Sequence, residues 1–393
     1  MNTIERFEKY VIPNYTRYPV TLVRGEGSYI WSDDGKRYID FFPGWGCNML
    51  GHCPPKVVKA IQKQVESLIH VPNSWYMEQQ GLWAEALSER SFGGKAFFCN
   101  SGAEANEAAI KFIRLHQVPK GKYKIITFEG SFHGRTLATT TATAQAKYQA
   151  GLGPLVPGFM YAKFGDLDSV KSLIDDETAA IFIEPIQGEG GIRIPPEGFL
   201  QGLRKLCDDN DLLLHFDEVQ TGCGRTGDWF AYQRFGVTPD SMSLAKAISG
   251  GVAAGAFIAR ADIAHDLRKG MHASTFGGNP IAAAGGLAAI QMIEEEKLLD
   301  NAKKIEEYFR ARAQQMSAKC DLIKDIRCAG TMIGIELRVD GVFAVSQCME
   351  RGLLINCTHS TVIRMLPAIN LTMDQAKEGL DILEDVLVSY RAQ

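Results

Sequence analysis

Two spacings of apolar residues share this chain. Residues 23–41, "VRGEGSYIWSDDGKRYIDF", alternate apolar and polar positions around Gly25, Gly27 and the Asp34-Gly35 pair. Alternation with turn residues between the runs predicts short hairpin strands over residues 18–42. Residues 55–69, "PKVVKAIQKQVESLI", repeat apolar positions at helical spacing behind Pro55, a residue suited to a helix's first turn. From about residue 95 short apolar runs alternate with helical segments. The runs are Ala96–Cys99, Lys124–Phe128, Ala179–Ile183, Leu212–Phe216, Ser241–Leu244 and Gly255–Ile258. That order predicts an α/β domain: a mostly parallel sheet flanked by helices. Asn279–Met316 is mostly helical in pattern. Short apolar pieces follow: Met332–Leu337, "GLLIN" and "VIRML". Thr372 and Gln375 have capping-box spacing ahead of an amphipathic helix over 374–391. This last third reads as a small α+β domain. No internal repeat or low-complexity linker sets it apart, so the two parts are expected to share an extensive contact.

Composition and charge narrow the class. The 393 residues leave room for two domains or one with an appendage. A hydrophobic share of 46% with 22% charged residues suits a soluble globular chain. Lys plus Arg is 42 against 46 Asp plus Glu, a net charge of −4. That balance offers no field for nucleic acid or an anionic membrane surface. The first ten residues, "MNTIERFEKY", carry acids and lack the apolar stretch of a signal peptide. No apolar run is long enough to span a bilayer. The nine cysteines form no C-x-x-C pair and no His cluster joins them. Reduced thiols, no metal and a cytoplasmic location are the expectation.

Ligands of such sheets bind at the carboxyl ends of the strands, so the residue after each run carries the question. The first run opens "FFCNSGAEANEAAIK", Phe97 to Lys111. Ser101 and Glu104 have capping-box spacing, yet a strand-to-helix turn is also a place to hold a phosphate. The next runs end in "EGSFHGRT" with Phe132, His133 and Arg135, "EPIQGEGG" with Glu184, Gln187 and Glu189, and "DEVQTGCGRTG" with Asp217 and Gln220. Lys246 follows the fifth. Each alone has an ordinary structural use: a cap, a core ring, a surface lysine. Together they suit a flat, phosphorylated, aldehyde-bearing ring. The amides of Ser101, Gly102 and Ala103 would take the phosphate, and Phe132 would stack on the ring. Asp217 would pair with a protonated ring nitrogen, and Lys246 would give the amine for a Schiff base. Its apolar neighbours would depress its pKa. Pyridoxal 5'-phosphate has these needs. Gly222–Gly227 also matches G-x-G-x-x-G, but Asp228-Trp229-Phe230 follows instead of a packed helix, so a pocket-shaping loop is expected there and not a dinucleotide site.

With these motifs in order, the sequence resembles the class III, fold-type I pyridoxal-phosphate aminotransferases over nearly its whole length. "FFCNSGAEANEAAIK", "SFHGRT", "EPIQGEGG", "FDEVQTGCGRTG", "LAKAISGG" and "STFGGNP" carry the resemblance. It implies a large cofactor-binding domain over 51–285, a small domain over 286–393 and an N-terminal segment, 1–50, that joins the small domain. It implies that Lys246 binds the cofactor and shuttles the proton, that Asp217 holds the pyridine nitrogen, and that Gln220 bonds the phenolic oxygen. Phe132 and Val219 would sandwich the ring, and Ser101, Gly102 and Ala103 would cradle the phosphate. Thr275 would reach the phosphate of a neighbouring subunit, which implies a homodimer with sites at its interface.

The motifs are most like those of the family's enzymes whose donor is N2-acetylornithine and whose acceptor is 2-oxoglutarate. An ω-amino donor reacts far from its α-carboxylate, whereas 2-oxoglutarate carries a carboxylate at both places. Arg135 suits the distal carboxylate and Arg364, in "VIRML", the proximal one. Glu189 stands where relatives keep a glutamate that masks that second arginine. Trp45, in "FFPGWGCNMLGH", departs from the smaller aliphatic expected at a position that helps select the ω-amine. Ornithine, succinylornithine and 4-aminobutyrate therefore remain rival donors.

Overall fold

The six apolar runs all become strands of one sheet in the computed structural model, which describes residues 1–390. The N-terminal hairpins come first, as β1 (Leu22–Glu26), β2 (Tyr29–Ser32) and β3 (Arg37–Asp40). The large sheet holds β4 (Lys95–Cys99), β5 (Lys124–Phe128), β6 (Phe159–Ala162), β7 (Thr178–Ile183), β8 (Leu213–Asp217), β9 (Ser241–Leu244) and β10 (Gly255–Ala259). Their spatial order is β4-β10-β9-β8-β7-β5-β6. β10 runs antiparallel to both neighbours and the other pairings are parallel. Every residue of β7 and β8 is buried, because helices cover both faces of the sheet. The helix Gly102–Gln117 crosses β9 and β10 on one side. On the other side Pro55–Val65, Glu78–Arg90 and Pro280–Glu295 pack together, with Trp83 stacked on Phe98 at 4.5 Å.

Neither β6 nor the helix Glu78–Arg90 had a sequence signal. β6 is an edge strand with only Ala162 buried, so it needed no apolar run. The helix Glu78–Arg90 buries just Trp83 and Leu87, too thin a stripe to stand out.

A second core joins both chain ends. The strands β11 (Ile323–Ala329), β12 (Met332–Leu337), β14 (Asn356–Thr358) and β15 (Val362–Met365) form an antiparallel sheet, and β13 (Leu353–Leu354) pairs in parallel with β3. Ile39 and Phe41 from the N-terminal segment pack there with Phe309, Ile335 and Leu380. The helix Pro280–Glu295 straddles the expected boundary at 285/286, and its Ala282, Ala289 and Ile293 lie in the core of the large sheet. The helix Leu298–Ser317 turns toward the second core through Ile305 and Phe309. The last helix spans Met373–Val388 with the full capping box of Thr372 and Gln375. Its expected end, residue 391, lies outside the described residues.

The turn 222–227 corrects one expectation, because it does not shape the cavity wall. Its Arg225 is 1% exposed and donates to Thr331 Oγ1 (2.7 Å), the Leu366 carbonyl (3.1 Å), the Pro367 carbonyl (2.7 Å) and the Gly46 carbonyl (2.9 Å). One side chain thus ties the large sheet to the N-terminal segment and the small domain.

Candidate active site

The carboxyl ends of β4, β5, β7, β8 and β9 open on one cavity of about 510 Å³. Ser101 is extended (φ −153°) and caps the helix that begins at Gly102, its Oγ accepting the Glu104 N–H at 3.2 Å. Glu104 does not return to Ser101's own amide. It accepts from the Asn100 N–H at 2.7 Å, so the expected reciprocal box is displaced by one residue. Gly102 and Ala103, at the helix start, line the cavity. Amides there have no intrahelical acceptor and sit at the positive end of the helix dipole. Position 102 must be glycine, since a Cβ there would stand 2.8 Å from Val219 Cγ1.

Asp217, the last residue of β8, is the fixed point of the cavity floor. Its Oδ2 accepts from Asn106 Nδ2 and His133 Nδ1, both at 2.7 Å, and its Oδ1 from the Val219 N–H at 3.0 Å. Burial pushes its pKa upward. The His133 hydrogen bond and charge, with the Val219 and Asn106 donors, outweigh that and hold it below the usual carboxylate range. Glu184 next to it fares differently, for burial raises it to about 7 against two backbone donors, Phe132 N–H (3.0 Å) and Gly188 N–H (3.2 Å). Lys246 follows Ala245 at the end of β9, with φ at +47°. A lysine in the left-handed region is backbone strain held by its surroundings. Burial lowers its pKa, with the charges of Glu189 and Asp217 pulling the other way.

The wall beside this floor is built from Arg364 of the small domain and Glu189 of the large one, outside the cavity lining but near enough for their charges to act on Lys246. Arg364 is 1% exposed. Its Nη1 donates to Glu189 Oε1 at 2.6 Å, while Nε and Nη2 donate to Asn356 Oδ1 at 3.1 and 2.9 Å. Burial disfavours the Glu189 charge, yet Arg364 more than offsets this and holds Glu189 low. Arg135 lines the cavity, exposed, with its guanidinium 3.9 Å from the Tyr148 ring centroid and no carboxylate partner among the described residues.

The cavity therefore gathers Ser101, Gly102, Ala103, Phe132, Arg135, Asp217, Val219, Gln220 and Lys246. Four expected residues stand outside its lining: Glu189 and Arg364, which pair with each other, and two more. Thr275 is exposed on the surface. Trp45 is 53% exposed, 6.1 Å from Tyr15 in a separate groove, and it is Cys47 that reaches the cavity. Asn106 was missed, although a lone amide inside an alanine-rich helix was a usable signal. His133 and Glu184 were seen at strand ends without a role.

The residues present fit pyridoxal phosphate on three counts. The helix start offers free amides beside a position that admits no side chain. Gln220 carries a buried Oε1 with no partner among the described residues, as expected of a group waiting for a ligand. A half-buried lysine with a lowered pKa and an aspartate held ionised share the same cavity.

The chain belongs to the class-III aminotransferases, whose family model matches residues 10–387. It is 46% identical over 388 residues to the acetylornithine aminotransferase of Caldanaerobacter subterraneus subsp. tengcongensis, covering 98% of each chain. Among solved structures it is similar to acetylornithine aminotransferase from Elizabethkingia anophelis (TM-score 0.89, 34% identity, 98% of each chain). It is also similar to ornithine aminotransferase from Toxoplasma gondii, in which pyridoxal phosphate is partly occupied (TM-score 0.94, 31% identity, 98% of this chain and 94% of that one). No helix among the described residues is long and apolar enough to cross a membrane.

Proposed function

We propose that this protein is a pyridoxal-phosphate aminotransferase moving the δ-amino group of N2-acetylornithine to 2-oxoglutarate. The products are N-acetylglutamate 5-semialdehyde and glutamate. The observation that carries the reading is the pairing of a half-buried, pKa-depressed Lys246 with an ionised Asp217 in one cavity, near an arginine masked by Glu189. Likeness over 98% of the chain to an acetylornithine enzyme supports that donor.

Pyridoxal phosphate, when bound, supplies the electron sink for the carbanion formed at the amine-bearing carbon. The Gly102 and Ala103 amides and Ser101 hold its phosphate, Phe132 and Val219 enclose its ring, Gln220 bonds the phenolic oxygen, and Asp217 keeps a proton on the ring nitrogen. Lys246 Nζ, favoured in its neutral form by burial, takes the proton from the donor's δ-carbon and later returns one to the acceptor's carbon. Arg135 clamps the distal carboxylate of either substrate. Glu189 covers Arg364 while the donor is bound and yields it to the proximal carboxylate of 2-oxoglutarate. Kinetics are ping-pong. The exposed Thr275, with Trp75 and Phe276 also exposed, supports a homodimer in which Thr275 reaches the other subunit's phosphate. A cytoplasmic location is part of the same reading.

A donor panel with 2-oxoglutarate tests it, comparing kcat/KM for acetylornithine, succinylornithine, ornithine and 4-aminobutyrate. Acetylornithine is expected to lead; a higher value for ornithine would sink the named donor and leave the family standing.

A further inference from the structure

Arg364 has two faces, and they are not treated alike. Asn356 and Arg364 are cross-strand neighbours, paired in register between β14 and β15. From that place the single Oδ1 of Asn356 accepts from both Nε and Nη2, at 3.1 and 2.9 Å, and so occupies the side edge of the guanidinium. Glu189 accepts only from Nη1, at 2.6 Å. The Phe42 ring stacks on the guanidinium plane at 4.8 Å. Glu189's own backbone is tied to β14 as well, since Thr358 Oγ1 donates to its carbonyl at 2.9 Å. The two partners of Arg364 thus differ in kind. One is a neutral amide fixed by strand register, and the other is a carboxylate, 24% exposed, whose side chain can rotate while its backbone stays.

We propose that Asn356 is a positioning residue for the acceptor. It holds Arg364 in place when Glu189 leaves and blocks the side edge, so that an incoming carboxylate meets only the end-on fork of Nη1 and Nη2. Neutrality is essential to this role. An amide fixes the arginine without cancelling the charge that must attract the dianion, whereas a carboxylate at 356 would fix it and neutralise it. The inference rests on the reading of Arg364 as the proximal-carboxylate site, and the test separates the two.

The test uses the holoenzyme and glutarate, a dicarboxylate with no keto group, as an unreactive probe. Calorimetry gives its Kd, and stopped-flow absorbance follows the donor and acceptor half-reactions separately. Asn356→Ala is expected to weaken glutarate about tenfold and to raise the 2-oxoglutarate concentration for half-maximal rate by a like factor, the value of one hydrogen bond to a charged group. The acetylornithine half-reaction should stay within about twofold, which also shows that the variant folds. Asn356→Asp, closest to asparagine in shape, is expected to be worse than Ala for glutarate. A scaffold role gives the reverse order, Asp milder than Ala, and that result overturns the proposal. Equal loss in both half-reactions, or no change in glutarate binding, does the same. Arg364→Ala is the companion. If it alone weakens glutarate, only the Asn356 inference falls; if it has no effect, the carboxylate site falls and Asn356 with it.

Discussion

The floor of the cavity and the wall beside it solve opposite problems. On the floor, Asp217 has three fixed donors and Lys246 sits in a strained backbone position at a strand end. Nothing there needs to move except a proton. On the wall, Arg364 is buried, and one of its partners is a carboxylate, the group that the proposed function has a substrate displace. A buried cation is costly when left unpaired, so on that proposal a wall that takes one substrate with two carboxylates and another with a single one would keep a removable partner. The floor is built within one domain and the wall across two.

Removing the floor's lysine should produce the largest effect. Lys246→Ala is expected to lower turnover by at least about a thousandfold, near 4 kcal/mol, because the proton carrier at the reacting carbon is gone. Steady-state assay with the best donor checks it, and a rate near the parent's would remove Lys246 from the mechanism. The joint between floor and wall comes next. Arg225→Met leaves two small-domain carbonyls, the Gly46 carbonyl and Thr331 Oγ1 without that donor. A stability loss of about 3 kcal/mol is expected in urea unfolding. Little loss would mean the two domains hold together without this brace.

The floor was more legible in the sequence than the wall. Five strand ends of one sheet can be found from apolar runs, and the residue after each run is then a candidate, which is how Ser101, Phe132, Asp217 and Lys246 were reached. Asn106 was not, because it depends on which face of the helix Gly102–Gln117 turns toward Asp217. The wall depends on how two domains meet. Neither Asn356 nor the bracing role of Arg225 can be read from spacing, since their partners are 8 and more than 100 residues away. Trp45 stands outside the cavity lining for a related reason. The turn Pro43–Gly46 holds Gly44 and Trp45 at positive φ, and that reversal aims the ring at Tyr15 while Cys47 faces the cavity.

Loss of the wall's charge should be selective. Arg364→Gln is expected to weaken 2-oxoglutarate by roughly thirtyfold, about 2 kcal/mol, with the acetylornithine half-reaction nearly unchanged. Equal damage to both half-reactions would mean that floor and wall are not separable.

The smallest effect concerns what lies under the floor. His215 is fully buried, its ring nitrogens 2.9 Å from Ser241 Oγ and 3.2 Å from Ser243 Oγ. Burial pushes its pKa from 6.5 to about 3, against the nearby Asp217 charge. The folded pKa is below the unfolded one, so the unfolded chain binds more protons and stability drains away as pH falls from about 6.5, by at most about 1.4 kcal/mol per unit. Glu184 and Glu218 act in the opposite sense. Burial raises each from 4.5 to about 7, so each adds stability as pH falls through that window. The parent's curve is therefore a balance and cannot identify any one group. The difference between parent and His215→Leu can. The variant should be less stable at pH 7 because two hydrogen-bond partners are left behind, and the gap should narrow steadily from pH 6.5 to 5. Urea midpoints across that range measure it, and a constant gap would mean that His215 takes up its proton in the folded protein, placing a cation beneath Asp217 that the floor does not need.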